Sequence, residues 1–226
     1  MIREYVRRLL VLLGGLAVSA VGITMMLQAN IGLEPWSVLQ QGMAQTFGMT
    51  YGTAAVIVGA VVIIIAAACG ESFGIGTLGN ILICGPLIDL LLYLGRIPAM
   101  ERLWSGVLML LGGLELLALG TWLYMKSALG AGPRDALMVV LARRTGRSVG
   151  VCRAVVELVI ILAGWRMGGQ VGAGTVIAAL GLGSLFNLNF ALLRFPAAEI
   201  HQENLAETLR RLRGGAAETA SEEPRP

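Results

Sequence analysis

Two charged residues inside an apolar stretch are the first candidates for chemistry. Arg153 and Glu157 lie four positions apart within the run from 149 to 168. On a helix this spacing places both side chains on one face, where they can pair with each other. Charged groups at membrane depth are costly, and they commonly mark a ligand or ion pathway. The pair is therefore a candidate site, and an ion pair that only holds helices together is the alternative.

Two Gly-Pro interruptions carry the remaining polar candidates. One runs from Gly32 to Pro35 and the other from Gly130 to Pro133. Each break frees backbone amides and directs a helix N-terminus, with its partial positive charge, at whatever faces it. The ionisable residues beside the breaks or in apolar runs are Glu34, Arg134, Asp135, Glu115 and Asp89.

The short segments after the breaks, 35–47 and 133–145, allow two interpretations. In transporters with inverted repeats, interrupted helices form the substrate site near the midplane. Alternatively, both segments lie flat on opposite membrane surfaces as amphipathic helices. Trp36 favours this second interpretation for 35–47, because tryptophan is enriched at membrane–water interfaces.

The composition indicates that the solvent of this fold is a lipid bilayer. The 226 residues are 56% hydrophobic and 14% charged, with a mean hydropathy of +0.77, which is far from the values of soluble domains. A helix needs roughly 20 apolar residues to cross the membrane. Runs of that length predict six spans, at 8–28, 52–70, 75–94, 104–125, 149–168 and 173–193.

The residue inventory argues against several classes of function. The net charge of +3 does not indicate nucleic acid, since the basic residues flank apolar runs. The single histidine, His201, lies in the polar tail, so a Ser-His hydrolase or a histidine metal centre lacks its parts. The three cysteines have neither metal-ligand nor disulfide spacing. We therefore expect no enzyme, no cofactor, no metal site and no nucleic-acid partner.

An internal duplication organises the chain. Residues 31–52 align without a gap to residues 129–150, which is an offset of 98. The same offset joins LLGGL at 12–16 to LLGGL at 110–114, and GIGT at 74–77 to GAGT at 172–175. Glycines and prolines held in register across both halves indicate a true repeat. The GIGT and GAGT turns are expected to pack closely, with Thr77 and Thr175 as candidate caps.

Three spans per copy mean that the second copy enters the membrane upside down. Charge agrees, because 35–47 has no Lys or Arg whereas 133–145 has three, as expected for a cytoplasmic segment. The sequence thus predicts an all-α membrane protein with six transmembrane helices in two inverted three-helix repeats. Each repeat has a short interrupted or re-entrant helix after its first span.

The predicted organisation has three parts. Residues 1–98 form the first repeat, 99–196 form the second, inverted repeat, and 197–226 form a cytoplasmic amphipathic stretch and a disordered tail. We expect the protein in the bacterial inner membrane with both termini in the cytoplasm.

The sequence resembles a known family most clearly in its second half. The motifs that carry the resemblance are GAGPRDALM at 130–138, RRTGRSVGVCRAVVE at 143–157 and GGQVGAGT at 168–175. They are similar to the bacterial YczE/YitT-like integral membrane proteins, particularly the YczE branch. The resemblance covers about residues 5–195 and implies a similar size and topology.

The resemblance also implies which polar positions are characteristic of the family, namely Arg134, Asp135, Arg153 and Glu157. In the first half the chain departs from the family's usual Gly-Pro-Trp-Asp pattern. Glu34 precedes Pro35, and Ser37 follows the tryptophan.

The functional hypothesis is a small secondary transporter or facilitator for a polar or charged small molecule, with its site between the halves. Arg134 and Arg153 would contact an anionic group, while Glu157 or Asp135 would pair with them or carry a proton. The expected site residues are Arg134, Asp135, Arg153, Glu157, Glu34, Pro35, Pro133 and Glu115.

Two alternatives stay open at this point. One is a substrate-binding membrane subunit of a larger complex. The other is a scaffold or regulator without transport activity, which would dock through the stretch 197–213. The expected partners are the lipid bilayer and a small polar or ionic substrate, and a homodimer is a candidate assembly because the spans are so few.

Overall fold

A computed structural model describes residues 2–70, 73–130, 132–195, 203–205 and 207–208. Some side chains within the helices lie outside that description, and these are Ile2, Pro133, Asp135, Ala136 and Val139. The expected site residues Pro133 and Asp135 are therefore described only through their backbone, and His201 lies outside the described residues. Only five residues of the predicted tail, 203–205 and 207–208, are described.

Throughout the described residues the regular structure is helical, as predicted. The long helices are α1 (Ile2–Gln28), α3 (Tyr51–Ala68), α6 (Leu103–Lys126), α8 (Val149–Arg166) and α9 (Ala173–Leu192). The short helices α2 (Pro35–Phe47) and α7 (Pro133–Thr145) follow the two breaks. Each short helix begins at its proline, and each ends at a glycine with left-handed backbone, Gly48 or Gly146, as this type of C-cap requires.

The predicted third span is a continuous helix that contains one π-helical turn. It is formed by α4 (Ile75–Gly79), a π-helical turn (Asn80–Cys84) and α5 (Gly85–Leu94). Pro86 lies just after the π turn, and proline has no N–H to donate to the preceding turn. A local π-helical widening is a common way to accommodate such a residue, and it frequently lies at functional sites.

Five helical stretches are long and apolar enough to cross a membrane, and these are Arg3–Gln28, Tyr51–Ala68, Ile75–Leu94, Leu103–Lys126 and Ala173–Leu192. The helix α8 also forms where a span is predicted, but it is not among the five. It is only 18 residues long and contains three charged side chains, Arg153, Glu157 and Arg166. A sixth crossing by α8 stays a prediction.

The helices α1 and α6 pack against each other through glycines in antiparallel directions. A Cβ atom at Gly15 would lie 2.8 Å from the carbonyl oxygen of Gly120, and one at Gly22 would lie 2.6 Å from that of Gly113. Backbones that approach this closely leave no room for a side chain, and small residues are how membrane helices reach such contact. Side chains of both helices also belong to one buried apolar core.

This contact yields a prediction about stability. Gly15→Val should lower the free energy of unfolding in detergent by about 1–3 kcal/mol, the usual cost of an overpacked core. Thermal unfolding of the purified protein measures this loss of stability. The matched control is Gly14→Val, because nothing lies within 4 Å of a Cβ atom at Gly14. Equal melting temperatures for the two variants would contradict the packing described here.

The two breaks join each half to the other. The N–H of Gly174 donates to the carbonyl of Ile31 over 2.8 Å, and the N–H of Gly76 donates to the carbonyl of Leu129 over 2.7 Å. In each turn a threonine hydroxyl accepts from a glycine N–H, with Thr77 paired to Gly74 and Thr175 paired to Gly172. The glycine turns thus pack directly against the breaks, and they hold the starts of α2 and α7 inside the bundle.

Candidate functional site

A cavity of about 630 Å³ lies at the centre of the bundle, within the usual size range of small-molecule sites. Its wall includes residues from both halves of the chain, and much of it is apolar. The polar and aromatic groups that matter most for binding are Trp36, Arg134, Arg153, Glu157, Phe186 and Asn187.

Glu34 is the N-cap of α2 and is almost completely buried, with 1% of its surface exposed. Its carboxylate accepts the backbone N–H of Trp36 and that of Ser37, each over 3.0 Å, and the Ser37 hydroxyl over 2.8 Å. A carboxylate at a helix N-terminus is stabilised by the free amides and by the helix dipole. The main structural role of Glu34 is therefore to cap the N-terminus of α2, and the residue also lines the cavity.

Arg134 reaches across from α7 to the same carboxylate. Its Nη1 lies 3.2 Å from Oε1 of Glu34, and its guanidinium stacks 5.0 Å from the ring centre of Trp36. About a third of the side chain, 35%, stays exposed at the cavity wall. Arg134 is thus oriented by a carboxylate and an aromatic face, an arrangement that the planar guanidinium suits better than lysine does.

The position of Trp36 corrects one expectation. An interfacial tryptophan would contact the headgroup region, but Trp36 is buried and lines the cavity beneath Arg134. The first half of α2 is buried with it, including Ser37, Val38 and Gln40. The interfacial assignment of Trp36 was wrong, because the ring serves as a platform for a cation inside the bundle.

A polar network next to Glu34 was missed by the sequence reasoning. The hydroxyl of Tyr51 lies 2.8 Å from Oγ of Ser37 and 2.6 Å from Oε1 of Gln40. All three side chains are buried. The available signal was the three-residue spacing of Ser37 and Gln40, which places two polar residues on one face of α2. The network extends the Glu34–Arg134 pair into α3, so that α2, α3 and α7 are held together at the site.

Arg153 and Glu157 form the predicted pair on α8, with Nε of arginine 2.8 Å from Oε1 of glutamate. Both side chains line the cavity. The arginine side chain is 41% exposed and the glutamate 15% exposed, so the cation is the more available of the two. The structure brings this pair to the same cavity as Arg134.

The other expected residues divide into three groups. Pro35 lines the cavity, whereas Glu115 is half-buried on α6 and is not among the cavity-lining residues. The side chains of Pro133 and Asp135 lie outside the described residues. Asp89, a buried candidate of the sequence reasoning, contacts the start of α3 through a hydrogen bond from the N–H of Gly52 over 2.7 Å.

This arrangement suits binding of a small polar molecule by charge. Two partly exposed guanidinium groups can each form charge-assisted hydrogen bonds to an anionic group, and apolar and aromatic residues can enclose its carbon skeleton. Within the parts of the chain that the structure describes, no three His, Cys, Asp or Glu side chains are grouped so that they could hold a metal ion.

Comparisons with known proteins place the chain among membrane proteins. The family described as "Family of unknown function (DUF6198)" matches residues 6–189. The "Uncharacterized membrane protein YczE" of Bacillus subtilis (strain 168) is 31% identical over 207 residues, which are 87% of this chain and 95% of that protein.

Two further relatives have similar coverage. An "Uncharacterized protein" of Haemophilus influenzae is 33% identical over 188 residues, covering 82% of this chain and 85% of that protein. The "Uncharacterized protein YyaS" of Bacillus subtilis is 26% identical over 166 residues, covering 72% and 82%. No solved structure matches the chain. Together with the apolar helices, these matches identify a multi-pass membrane protein that belongs to the DUF6198 family and is YczE-like.

Proposed function

We propose that this protein is a small secondary transporter or facilitator that moves an anionic or zwitterionic small molecule across the bacterial inner membrane. The observation that carries the proposal is the central cavity with Arg134 and Arg153 in its wall. Each guanidinium is oriented by a carboxylate, Glu34 or Glu157, and still has an exposed fraction to offer a ligand. The proposal includes no enzymatic step and no cofactor.

Charged side chains are expensive in a membrane unless they have a use there. Among the described charged side chains at this cavity, Arg153 and Glu157 come from α8, and the repeat gives Ala55 and Gly59 at the equivalent positions of α3. Helix packing alone therefore does not require charge at these two positions. A site for a charged ligand explains why one copy carries the pair.

We propose that the six helical spans form two inverted three-helix repeats, 1–98 and 99–196, with the cavity between them. Contacts that recur at the offset of 98 support this. Gly15 meets Gly120 as Gly22 meets Gly113, and the two hydrogen bonds between breaks and glycine turns are equivalent in the same way. Trp36 and Arg134 are themselves equivalent positions and stack on each other.

In this proposal both termini face the cytoplasm, because Arg143, Arg144 and Arg147 then lie on the cytoplasmic side. The scaffold alternative has less support. Glu203, in the predicted docking stretch, is buried, pairs with Arg8 and donates its N–H to the carbonyl of Ala128. A docking element would first have to detach from the bundle.

The test uses the full-length chain purified in detergent and then reconstituted in liposomes. A thermal-shift screen compares acidic, zwitterionic, cationic and neutral small metabolites and inorganic ions. We expect acidic or zwitterionic compounds to raise the melting temperature, and the same compounds to show flux in liposomes. Ligand stabilisation without flux would favour the substrate-binding subunit. The absence of both across the panel would overturn the proposal.

A further inference from the structure

The start of α3 packs against α5 beside the cavity, whose wall includes Gly85. There Gly52 and Gly85 touch through their backbones, and a Cβ atom at Gly85 would lie 2.6 Å from the carbonyl oxygen of Gly52. Asp89, one turn further along α5, accepts a hydrogen bond from the N–H of Gly52 over 2.7 Å. A carboxylate on the free amides of a helix start is a charge-assisted contact, which is stronger than a neutral one. We call Gly52, Gly85 and Asp89 the α3 gate.

The equivalent place in the second half is open. The residues that match the glycine pair at the offset of 98 are Gly150 on α8 and Gly183 on α9. Nothing lies within 4 Å of a Cβ atom at either glycine, and both line the cavity. Asn187 matches Asp89 and also lines the cavity. This second set is called the α8 gate below.

The difference between the gates is one of conformation more than of composition. Both have glycine at the helix start, glycine on the facing helix, and a side chain that can accept a hydrogen bond four residues later. The contact between Gly42 on α2 and Gly164 on α8 differs in this respect. A Cβ atom at Gly42 would overlap the carbonyl oxygen of Gly164. The equivalent residues are Val140 and Ala66, so this glycine pair occurs at only one of the two equivalent contacts between the halves.

We propose that the α3 gate and the α8 gate open and close alternately, and that they give the site access to one side of the membrane at a time. This inference rests on the proposed function. In the second state the start of α8 would close on α9, with the N–H of Gly150 donating to the side-chain oxygen of Asn187, while the Asp89 contact would break. Inverted repeats of equal composition can exchange conformations in this way.

Asp89 and Asn187 also set which state is preferred. A carboxylate binds the amides of a helix start more strongly than a neutral amide oxygen does. The α3 gate therefore holds better than the α8 gate, in agreement with the state of the structure. By the charge distribution, the closed α3 gate faces the outside and the open α8 gate faces the cytoplasm.

The experiment measures access to the cavity, not transport. The three native cysteines are replaced by alanine, and Ala179→Cys places one thiol at an exposed, cavity-lining position of α9. Right-side-out and inverted membrane vesicles are then labelled with a membrane-impermeant maleimide. In this background we expect rapid labelling in inverted vesicles and slow labelling in right-side-out vesicles.

Asp89→Ala in this background should raise the labelling rate in right-side-out vesicles about tenfold, the change in equilibrium that the loss of one charge-assisted hydrogen bond produces. Gly52→Leu should also raise this labelling rate, because the added side chain would separate the backbones of the α3 gate. Asn187→Asp should slow labelling in inverted vesicles, because it strengthens the α8 gate. The matched control is Tyr93→Ala, an exposed residue one turn beyond Asp89 on α5, which should change neither rate.

Size-exclusion profiles show which variants are folded, and Asn187→Asp adds no bulk to a packed contact. Equal labelling from both sides in the starting background, or folded Asp89→Ala and Asn187→Asp variants with unchanged rates, would overturn the alternating gates. Labelling that responds as expected while no compound shows flux would leave the gates in place and refute the transport proposal. The two failures are thus distinguishable.

Discussion

Replacing Arg134 with methionine is expected to abolish ligand-induced stabilisation and to reduce substrate flux about 10- to 100-fold, the range for losing a charge-assisted hydrogen bond to an anionic ligand. The same change leaves the carboxylate of Glu34 buried beside Trp36 without its cation. We expect a loss of up to about 3 kcal/mol in the free energy of unfolding, the low end for a broken buried pair, because Arg134 is partly exposed.

A double variant separates the two effects. In Arg134→Met/Glu34→Gln the glutamine oxygen can keep the bonds from the N–H and the hydroxyl of Ser37, the N–H of Trp36 loses its acceptor, and no charge is left buried. Thermal stability should recover part of the loss, whereas ligand stabilisation should stay absent and flux should stay reduced. If binding returns together with stability, Arg134 only neutralises Glu34 and has no contact with the ligand.

The helices could be predicted from the sequence because their signals are local. Apolar runs of bilayer length set α1, α3, α6 and α9, and a proline start with a glycine end set the bounds of α2 and α7. The π-helical turn within the third span was not predicted. Pro86 was inside an apolar run, and the run alone does not show whether a proline bends the helix or widens one turn.

The contacts within the candidate site could be predicted only in part, because this depends on how far apart the partners lie along the chain. Arg153 and Glu157 lie on one helix, so their spacing shows that they can pair. Glu34 and Arg134 are separated by 100 residues, and nothing in either local sequence selects the other. The sequence therefore identified each as a candidate but not as a pair. The contact of Arg134 with the ring of Trp36 depends on the same long-range approach of α7 to α2.

The asymmetry between the halves could not be predicted at all. Equal residues occupy the two glycine pairs of the gates, yet one pair is in contact and the other is open. A sequence encodes both conformations of a two-state element, and their relative free energies depend on the whole set of contacts. The conformation that each half adopts therefore cannot be derived from its own residues alone.

The charge swap Arg153→Glu/Glu157→Arg distinguishes a ligand site from a helix lock on α8. The swapped residues can still pair four positions apart, and glutamate on the N-terminal side is the better order. Such pairs contribute only about 0.3–0.5 kcal/mol when they are partly solvated, so the melting temperature should hardly change. The cation, however, moves along α8 by about 6 Å, the rise of four residues.

A ligand that is held by both Arg134 and Arg153 cannot follow that movement, because Arg134 is fixed by Glu34 and Trp36. We therefore expect substrate flux and ligand affinity, measured by the thermal shift, to fall at least about tenfold in the swap, which is the effect of one misplaced charge-assisted bond. Arg153→Ala should lower both to the same extent. A swap that keeps full activity would show that the pair only joins helices. In that case the anion would be bound by Arg134 alone.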